Sequence, residues 1–330
     1  MMSSQNGLSP HLEDAVASTG TDTERIEVVY IAGVGRSGST LLEMILGQID
    51  GFVSVGELRY LWRVLSENHK CGCGTPIRGC AFWNQVIEAA FGSWASFDPE
   101  EILTLRLSVD RLWRNPQLAF PVLRSAAFRR RLDAYGDVLD SLYRAITTVS
   151  GARYVIDSSK QPSHGYLLST RDLLRVHFIH LIRDSRAVGH SWRRRRLRPE
   201  IHWEERYMPV FNPAFMLLTW YIETTFNHYF LSRGRPPLLI RYEDFVTTPR
   251  PTITRILDHL GDVPLRPDPF LSASCIRAVD NHTVSGNPFR FRRGAVDIRP
   301  DTSWQTEMSP LHRYLLTFAT FPFLKKYGYV

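Results

Sequence analysis

Lysine is scarce in this chain of 330 residues. The only lysines are Lys70, Lys160, Lys325 and Lys326, and the other members of its 40 basic residues are arginines. A lysine that falls within a motif is therefore informative. The formal net charge of +7 suits an anionic ligand and does not require nucleic acid. The arginine runs lack interleaved aromatic residues, so we expect no nucleic-acid partner.

Long apolar runs are also missing from the sequence. The polar residues 1–24 contain no apolar segment of the kind found in a signal peptide, and we expect them to form a disordered tail. The most apolar helix candidate, 215–230, is interrupted by Glu223, Asn227 and His228, which argues against a transmembrane segment. The sequence therefore predicts a soluble, cytoplasmic protein. Residues 25–330, in a chain that is 44% hydrophobic, suffice for one domain with a full core.

Cysteine occurs only four times, but three of the four fall in one short segment. Cys71, Cys73 and Cys80, together with His69, could supply four zinc ligands, although the C-x-C spacing is tighter than usual. A disulfide within the segment is a third possibility, after zinc binding. Reduced thiols without a metal are the first expectation for a cytosolic chain.

One stretch near the N-terminus has the layout of a phosphate-binding loop. An apolar strand is followed by glycines and serines and then by an apolar helix start, in the order VVYIAGVGRSGSTLL (28–42). Such a loop points backbone N–H groups and the positive end of a helix at an anion. Gly33 and Gly38 stand five residues apart, but Ser39 replaces the lysine of ATP-binding loops. We expect a phosphate-like anion to be bound by Arg36, Ser37, Gly38, Ser39 and Thr40. The missing lysine argues against the alternative, a P-loop kinase acting on a small molecule.

The rest of the sequence alternates between short apolar segments and helical patterns. Strands are predicted at 26–32, 52–55, 153–156, 176–182 and 238–240, with helices between them. This pattern predicts an α/β fold with a parallel sheet and helices on both faces. Residues 68–150 interrupt it, and we expect them to form the cysteine loop and an inserted helical lobe. Ligands of such folds bind at the carboxyl ends of the strands, where Glu57, Lys160 and Arg183 occur.

Three segments resemble those of sulfotransferases that use 3′-phosphoadenosine 5′-phosphosulfate (PAPS). Residues 34–42 (VGRSGSTLL) resemble the loop for the 5′-phosphosulfate, and residues 182–191 (IRDSRAVGHS) resemble the motif for the 3′-phosphate, with Ser185 in place of a proline. Residues 241–245 (RYEDF) resemble a third recurring strand end. The resemblance, closest to the protein-tyrosine and carbohydrate type, implies a P-loop NTPase-like fold. It also implies PAPS as the donor, the diphosphate PAP as its product, and no metal in the chemistry.

The resemblance also implies roles for individual residues. It places Arg183 and Ser191 at the 3′-phosphate, with further contacts to the nucleotide expected from Arg195, Tyr242 and Arg293. Gly56-Glu57 resembles the Gly-Glu pair whose glutamate is the catalytic base in protein-tyrosine sulfotransferases. The alternative is a structural carboxylate paired with Arg59.

Sulfuryl transfer also needs positive charge at the bridging oxygen. Lys160 and Arg36 are the candidates for this role, and Lys160 matches a strand end of the family. The acceptor is the hydroxyl of a small molecule, a lipid, a sugar or a peptide. A nucleotide-binding module without catalysis is the remaining alternative.

Overall fold

Five parallel strands form the central sheet of the protein. The structure is a computed structural model that describes residues 25–211, 213–231 and 236–330; the predicted tail, 1–24, lies outside the described residues. The strands are β1 (Ile26–Gly33), β2 (Phe52–Gly56), β3 (Tyr154–Lys160), β4 (Leu174–Ile182) and β5 (Leu238–Arg241), in the order β2-β3-β1-β4-β5. Every pairing between neighbours in this sheet is parallel.

Helices cover both faces of this sheet, as predicted. Along β1, Val28 and Tyr30 contribute to one apolar core, while Val29 and Ile31 contribute to the other. Successive side chains of a strand point to opposite faces, so a strand apolar at every position must be covered on both sides. The predicted α/β fold class is therefore confirmed.

The helices follow the predicted pattern closely. They are α1 (Ser39–Leu46), α2 (Leu61–Ser66), α3 (Ala81–Phe91), α4 (Pro99–Val109), α5 (Asn115–Ala119), α6 (Ala126–Ser150), α7 (Pro162–Ser169), α8 (Ser185–Trp192), α9 (Pro213–Leu231), α10 (Tyr242–Thr247), α11 (Pro249–His259), α12 (Trp304–Glu307) and α13 (Pro310–Lys326). Helices α3 to α6 form the lobe between β2 and β3. Asp98 caps α4 by accepting a hydrogen bond from the Glu100 amide at 2.8 Å, and Pro99 occupies the first position of the helix. None of the helices among the described residues has the length and apolar character needed to cross a membrane.

A second, antiparallel sheet was not predicted. It consists of the short strands β6 (Phe270–Ser272), β7 (Cys275–Ala278) and β8 (Gly294–Asp297). Strand β8 falls within 281–303, a stretch that reads as loop in the sequence, because four residues are too few to establish an alternating pattern.

Residues 281–291, here called the strap, connect β7 to β8 and cross to the edge strand β2. Val284 lies beside Gly56 in a parallel bridge. The Glu57 amide donates to the Val284 carbonyl at 2.8 Å, and the Val284 amide donates to the Val55 carbonyl at 2.9 Å. The strap thereby covers the carboxyl end of β2, next to the predicted site.

Candidate functional site

The loop between β1 and α1 has the backbone conformation of an anion cradle. Gly38 precedes α1 with φ 95°, and Arg36 has φ 74°, both in the left-handed region. A Cβ on Gly38 would lie 2.4 Å from the ring of Tyr242. The first N–H groups of α1, at Ser39 and Thr40, have no partner within the helix and point toward the loop. Only glycine at position 38 allows this turn under the tyrosine ring.

A cluster of guanidinium groups lies beside the loop. Burial, together with the nearby Arg196 and Arg183, lowers the pKa of Arg36 to about 10. Burial and the neighbouring Arg194 and Arg183 also lower the pKa of Arg196. Nε and Nη1 of Arg36, Nε of Arg183 and the hydroxyl of Ser37 are buried without a hydrogen-bond partner among the described residues. Closely spaced guanidinium groups repel one another, and their buried N–H groups lack hydrogen-bond acceptors. A bound anion would relieve both costs.

The second phosphate motif is partly assembled around Arg183. Its guanidinium stacks on the ring of Tyr242 at 4.3 Å and donates to the Arg36 carbonyl at 2.9 Å. Asp301 forms an ion pair with Arg183 at 3.1 Å. Ser191 is buried on α8, which begins two residues after Arg183. Arg183 and Tyr242 are therefore brought to the loop, as expected.

Two residues predicted to contact the nucleotide are engaged elsewhere. Arg195 is exposed and stacks on Tyr207 at 4.4 Å, whereas the next residue, Arg196, reaches the cations of the loop. Arg293 donates to the Asp280 carboxylate and to the Gly72 carbonyl, both at 2.5 Å. These contacts hold Arg293 to the cysteine segment, and its contact with the 3′-phosphate stays a prediction. Residues 193–196 are all arginine, so the sequence pattern could not indicate which of the four side chains faces the loop.

Glu57 and Lys160 form an ion pair beside the loop. Glu57 Oε1 lies 2.5 Å from Lys160 Nζ, which also donates to Ser39 Oγ at 3.3 Å and to the Ser158 carbonyl at 2.9 Å. Their side chains are 13% and 11% exposed. Burial disfavours the ammonium, but the Glu57 carboxylate outweighs burial and raises the pKa of Lys160.

The backbone of Lys160 adopts φ 67°, a conformation that a residue with a side chain rarely takes. Such strain concentrates at functional sites, where the surrounding structure holds it. Arg59, the alternative partner of Glu57, instead pairs with the fully buried Asp110 at 2.7 Å. Glu57 therefore pairs with Lys160 through Oε1 and not with Arg59.

Two buried glutamates near the ion pair were not predicted as site residues. Glu43 on α1 is completely buried, and neither carboxylate oxygen has a hydrogen-bond partner among the described residues. Burial raises its pKa to about 8. Burial also raises the pKa of Glu223 to about 7, although Gln161 donates to its carboxylate at 2.6 Å. The signal available in the sequence was a single acidic residue within an apolar helical stripe, which is unfavourable unless it is neutral or paired.

The cysteine segment gathers a different histidine from the one predicted. The side chains of Cys71, Cys73, Cys80 and His282 place one ligand atom each within 4.8 Å of one another. His69 does not belong to this group, because its Nε2 faces the Glu67 carboxylate at 2.7 Å. His282 lies more than 200 residues further along the chain, and no local spacing could identify it.

A parallel α/β sheet with a glycine loop between its first strand and the next helix is the arrangement of a P-loop-like fold. The sequence profile described as the sulfotransferase family matches residues 29–265. The chain belongs to the sulfotransferase family, so the predicted family is confirmed and the chain is a transferase.

Several solved structures are similar to this chain, and two of them are sulfotransferase domains of biosynthetic systems. The sulfotransferase domain from the Synechococcus PCC 7002 olefin synthase is 22% identical, with 92% of this chain and 98% of that chain covered and a TM-score of 0.46. The sulfotransferase domain from the curacin biosynthetic pathway is 17% identical, with 90% and 98% covered and a TM-score of 0.46. No curated protein matches the chain.

Proposed function

We propose that the protein transfers a sulfuryl group from PAPS to an acceptor hydroxyl. The observation that carries this proposal is the position of Lys160 Nζ, 2.5 Å from Glu57 Oε1 and 3.3 Å from Ser39 Oγ. A carboxylate able to accept a proton and a cation able to hold developing negative charge thereby meet at the anion loop. These are the two needs of sulfuryl transfer to a hydroxyl.

The donor-binding residues fit a ligand with two anionic groups. The loop residues 36–40 would hold the 5′-phosphosulfate, which supplies the sulfuryl group when PAPS is bound. Arg183, Ser191 and Arg196 would hold the 3′-phosphate, with Tyr242 against the nucleotide. The unused buried donors of Arg36, Ser37 and Arg183 support this fit, since a bound anion would satisfy them.

In this proposal each charged residue has a distinct task. Glu57 orients the acceptor hydroxyl and takes its proton. Lys160, held by Glu57 and the Ser158 carbonyl, stabilises the negative charge that develops at the bridging oxygen, and Arg36 shares that task. The near burial of the ion pair strengthens these interactions, because the effective dielectric constant is lower than in water.

The proposal is tested by sulfate transfer from labelled PAPS to a panel of acceptors. The panel should contain small alcohols and phenols, lipids, sugars and tyrosine peptides, because the acceptor class stays open among these. The proposal also keeps the cytoplasmic location that the sequence predicts. Transfer to one class identifies the acceptor. Binding of PAP without transfer to any of them would favour a module without catalysis, and magnesium-dependent ATP turnover would favour a kinase.

Two matched pairs of variants test the roles of the ion pair. We expect Glu57→Gln and Lys160→Met each to lower kcat by about 100-fold or more, as the loss of a preorganised charged group does. The exposed residues Glu88 and Lys325 provide the controls Glu88→Gln and Lys325→Met, which should leave kcat unchanged. Glu57→Gln should still bind PAP. Turnover within twofold of the unchanged protein in either site variant would refute the role assigned to that residue.

A further inference from the structure

Four side chains from two distant parts of the chain converge next to the strap. Cys71 and Cys73 precede α3, Cys80 caps it, and His282 lies in the strap. Cys80 Sγ lies 3.3 Å and Cys71 Sγ 3.8 Å from Nδ1 of His282. Around a tetrahedral zinc ion, sulfur and nitrogen ligands are separated by about 3.5 Å and two sulfurs by about 3.8 Å, as follows from the bond lengths. We propose that Cys71, Cys73, Cys80 and His282 bind one structural zinc ion that fastens the strap to the cysteine segment.

The ligand types select the metal. Three thiolates and an imidazole form one of the standard closed sets of structural zinc sites. Magnesium and calcium prefer oxygen ligands, and the cluster offers none. A disulfide would use two of the sulfurs and would leave the third, together with the imidazole, without a reason to lie within 4.8 Å of them.

The surrounding residues hold the ligands in this arrangement. The ring of Phe82 stacks on the imidazole of His282 at 4.8 Å, and the indole of Trp83 donates to the His282 carbonyl at 2.8 Å. The Gly72 amide, between two of the cysteines, donates to the Thr283 carbonyl at 2.9 Å. A Cβ on Gly72 would lie 2.0 Å from the Asn281 side chain. Contacts of this kind hold the ring of His282 and the backbone of the cysteine segment in a fixed orientation.

The charge of the neighbourhood also fits a zinc–thiolate group. Arg290, in the strap, is 1% exposed, and no carboxylate among the described residues lies within ion-pair distance of it. Its guanidinium donates to the carbonyls of Thr283 and Lys70. A zinc ion with three thiolates and a neutral imidazole carries a net charge of about −1. Because Arg290 donates to the carbonyl of Lys70, the residue before Cys71, the metal group would add negative charge close to this buried cation.

The zinc site would organise the edge of the active site without entering its chemistry. Two residues after His282, the Val284 backbone pairs with Val55 and Glu57. Further along the strap, the Asn287 amide donates to Thr40 Oγ1 at 3.4 Å. The metal would therefore hold one polypeptide segment against both the β2 edge and the anion loop. This inference does not depend on the proposed function.

The first experiment measures the metal directly in the full-length protein, purified without chelators. We expect about one zinc ion per chain by inductively coupled plasma mass spectrometry. Cobalt exchanged into the protein should give the absorption of a tetrahedral thiolate site. Less than about 0.2 zinc per chain after growth and incubation with zinc would overturn the proposal, as would a disulfide among these cysteines found by mass spectrometry.

Substitutions then assign the ligands. Cys80→Ser and His282→Gln should lower the zinc content about fivefold or more, whereas Cys275→Ser, a cysteine of β7 outside the cluster, should leave it unchanged. His282→Cys should retain zinc, because four thiolates also form a structural site. Full zinc content in His282→Gln would refute the assignment of the fourth ligand. All of these readouts are independent of sulfate transfer.

Discussion

The buried carboxyl group of Glu43 gives a quantitative test of the structure behind the anion loop. Glu43 lies on α1, three residues after Thr40, and is 0% exposed. Burial raises its pKa from 4.5 to about 8, and the nearby Ser158 hydroxyl and Lys160 ammonium oppose the shift only in part. Glu43 should therefore be protonated in the folded protein at neutral pH. Glu43→Gln replaces this neutral carboxyl with a neutral amide of the same shape.

The pH dependence follows from the two pKa values. In the unfolded chain the carboxyl loses its proton near pH 4.5, whereas in the folded protein it keeps the proton up to about pH 8. Deprotonation therefore favours the unfolded state, and the penalty grows as the pH rises between these values and stays constant above them. The buried carboxyl group therefore lowers the free energy of unfolding by about 1 kcal/mol at pH 5, about 3 kcal/mol at pH 7 and about 4 kcal/mol at pH 8. Glutamine at position 43 carries no such penalty.

Urea unfolding of both proteins at several pH values measures this difference. The free energy of unfolding of Glu43→Gln, minus that of the unchanged protein, should rise by about 3 to 4 kcal/mol between pH 5 and pH 8. Subtraction removes the titration of groups that both proteins share. Glu88→Gln on the exposed face of α3 should give a difference that does not vary with pH. A flat profile for Glu43→Gln would refute the raised pKa of this buried carboxyl group.

Two further predictions concern the binding of PAP. Gly38→Ala should weaken PAP binding by about tenfold or more and destabilise the fold by about 1 kcal/mol or more, because φ is 95° and the new methyl group would lie 2.4 Å from the Tyr242 ring. The control for isothermal titration is Gly51→Ala, where φ is 81° but no atom lies within 4 Å of the added methyl group. Equal effects of the two substitutions on PAP affinity would contradict the steric argument. Arg196→Ala should raise the Kd for PAP by about tenfold, as the loss of a charge-assisted hydrogen bond does. Arg195→Ala should change the Kd by less than about twofold, because its guanidinium stacks on Tyr207 at the surface. A larger loss of affinity in Arg195→Ala than in Arg196→Ala would identify Arg195 as the phosphate contact.

Most of the fold could be predicted from the sequence because its main elements have strong local patterns. The strand β1 is apolar at nearly every position and is followed by a glycine loop, a combination with few structural solutions. Asp98 before Pro99 marks the start of α4, because its side-chain carboxylate accepts a hydrogen bond from the Glu100 amide. The strands β6 to β8 escaped prediction because their three or four residues are stabilised by pairing with each other and not by their own sequence.

Candidate site residues could be predicted from the sequence only where they lie at the end of a predicted strand. Glu57 and Arg183 directly follow strands of the parallel sheet and Lys160 ends one, so topology alone brings them to one edge. Arg196 lies beyond the end of α8 within a run of arginines, and only the path of the chain after the helix decides which of them turns inward. His282 was beyond prediction, because its partnership with the cysteines depends on a strap that crosses the molecule.

The strap also supplies a physical reason for the glycine that precedes Glu57. Gly56 has φ 78°, and a Cβ there would lie 2.4 Å from the Val284 carbonyl. Any larger residue would push the strap away from β2 and break the hydrogen bond that fixes the Glu57 amide. The glycine is thus required by the approach of a segment 228 positions away along the chain, and the glutamate is positioned by that same segment. In this chain the Gly-Glu pair is one structural unit with the strap: the glycine admits the Val284 carbonyl, and that carbonyl accepts the hydrogen bond that aims the glutamate at Lys160.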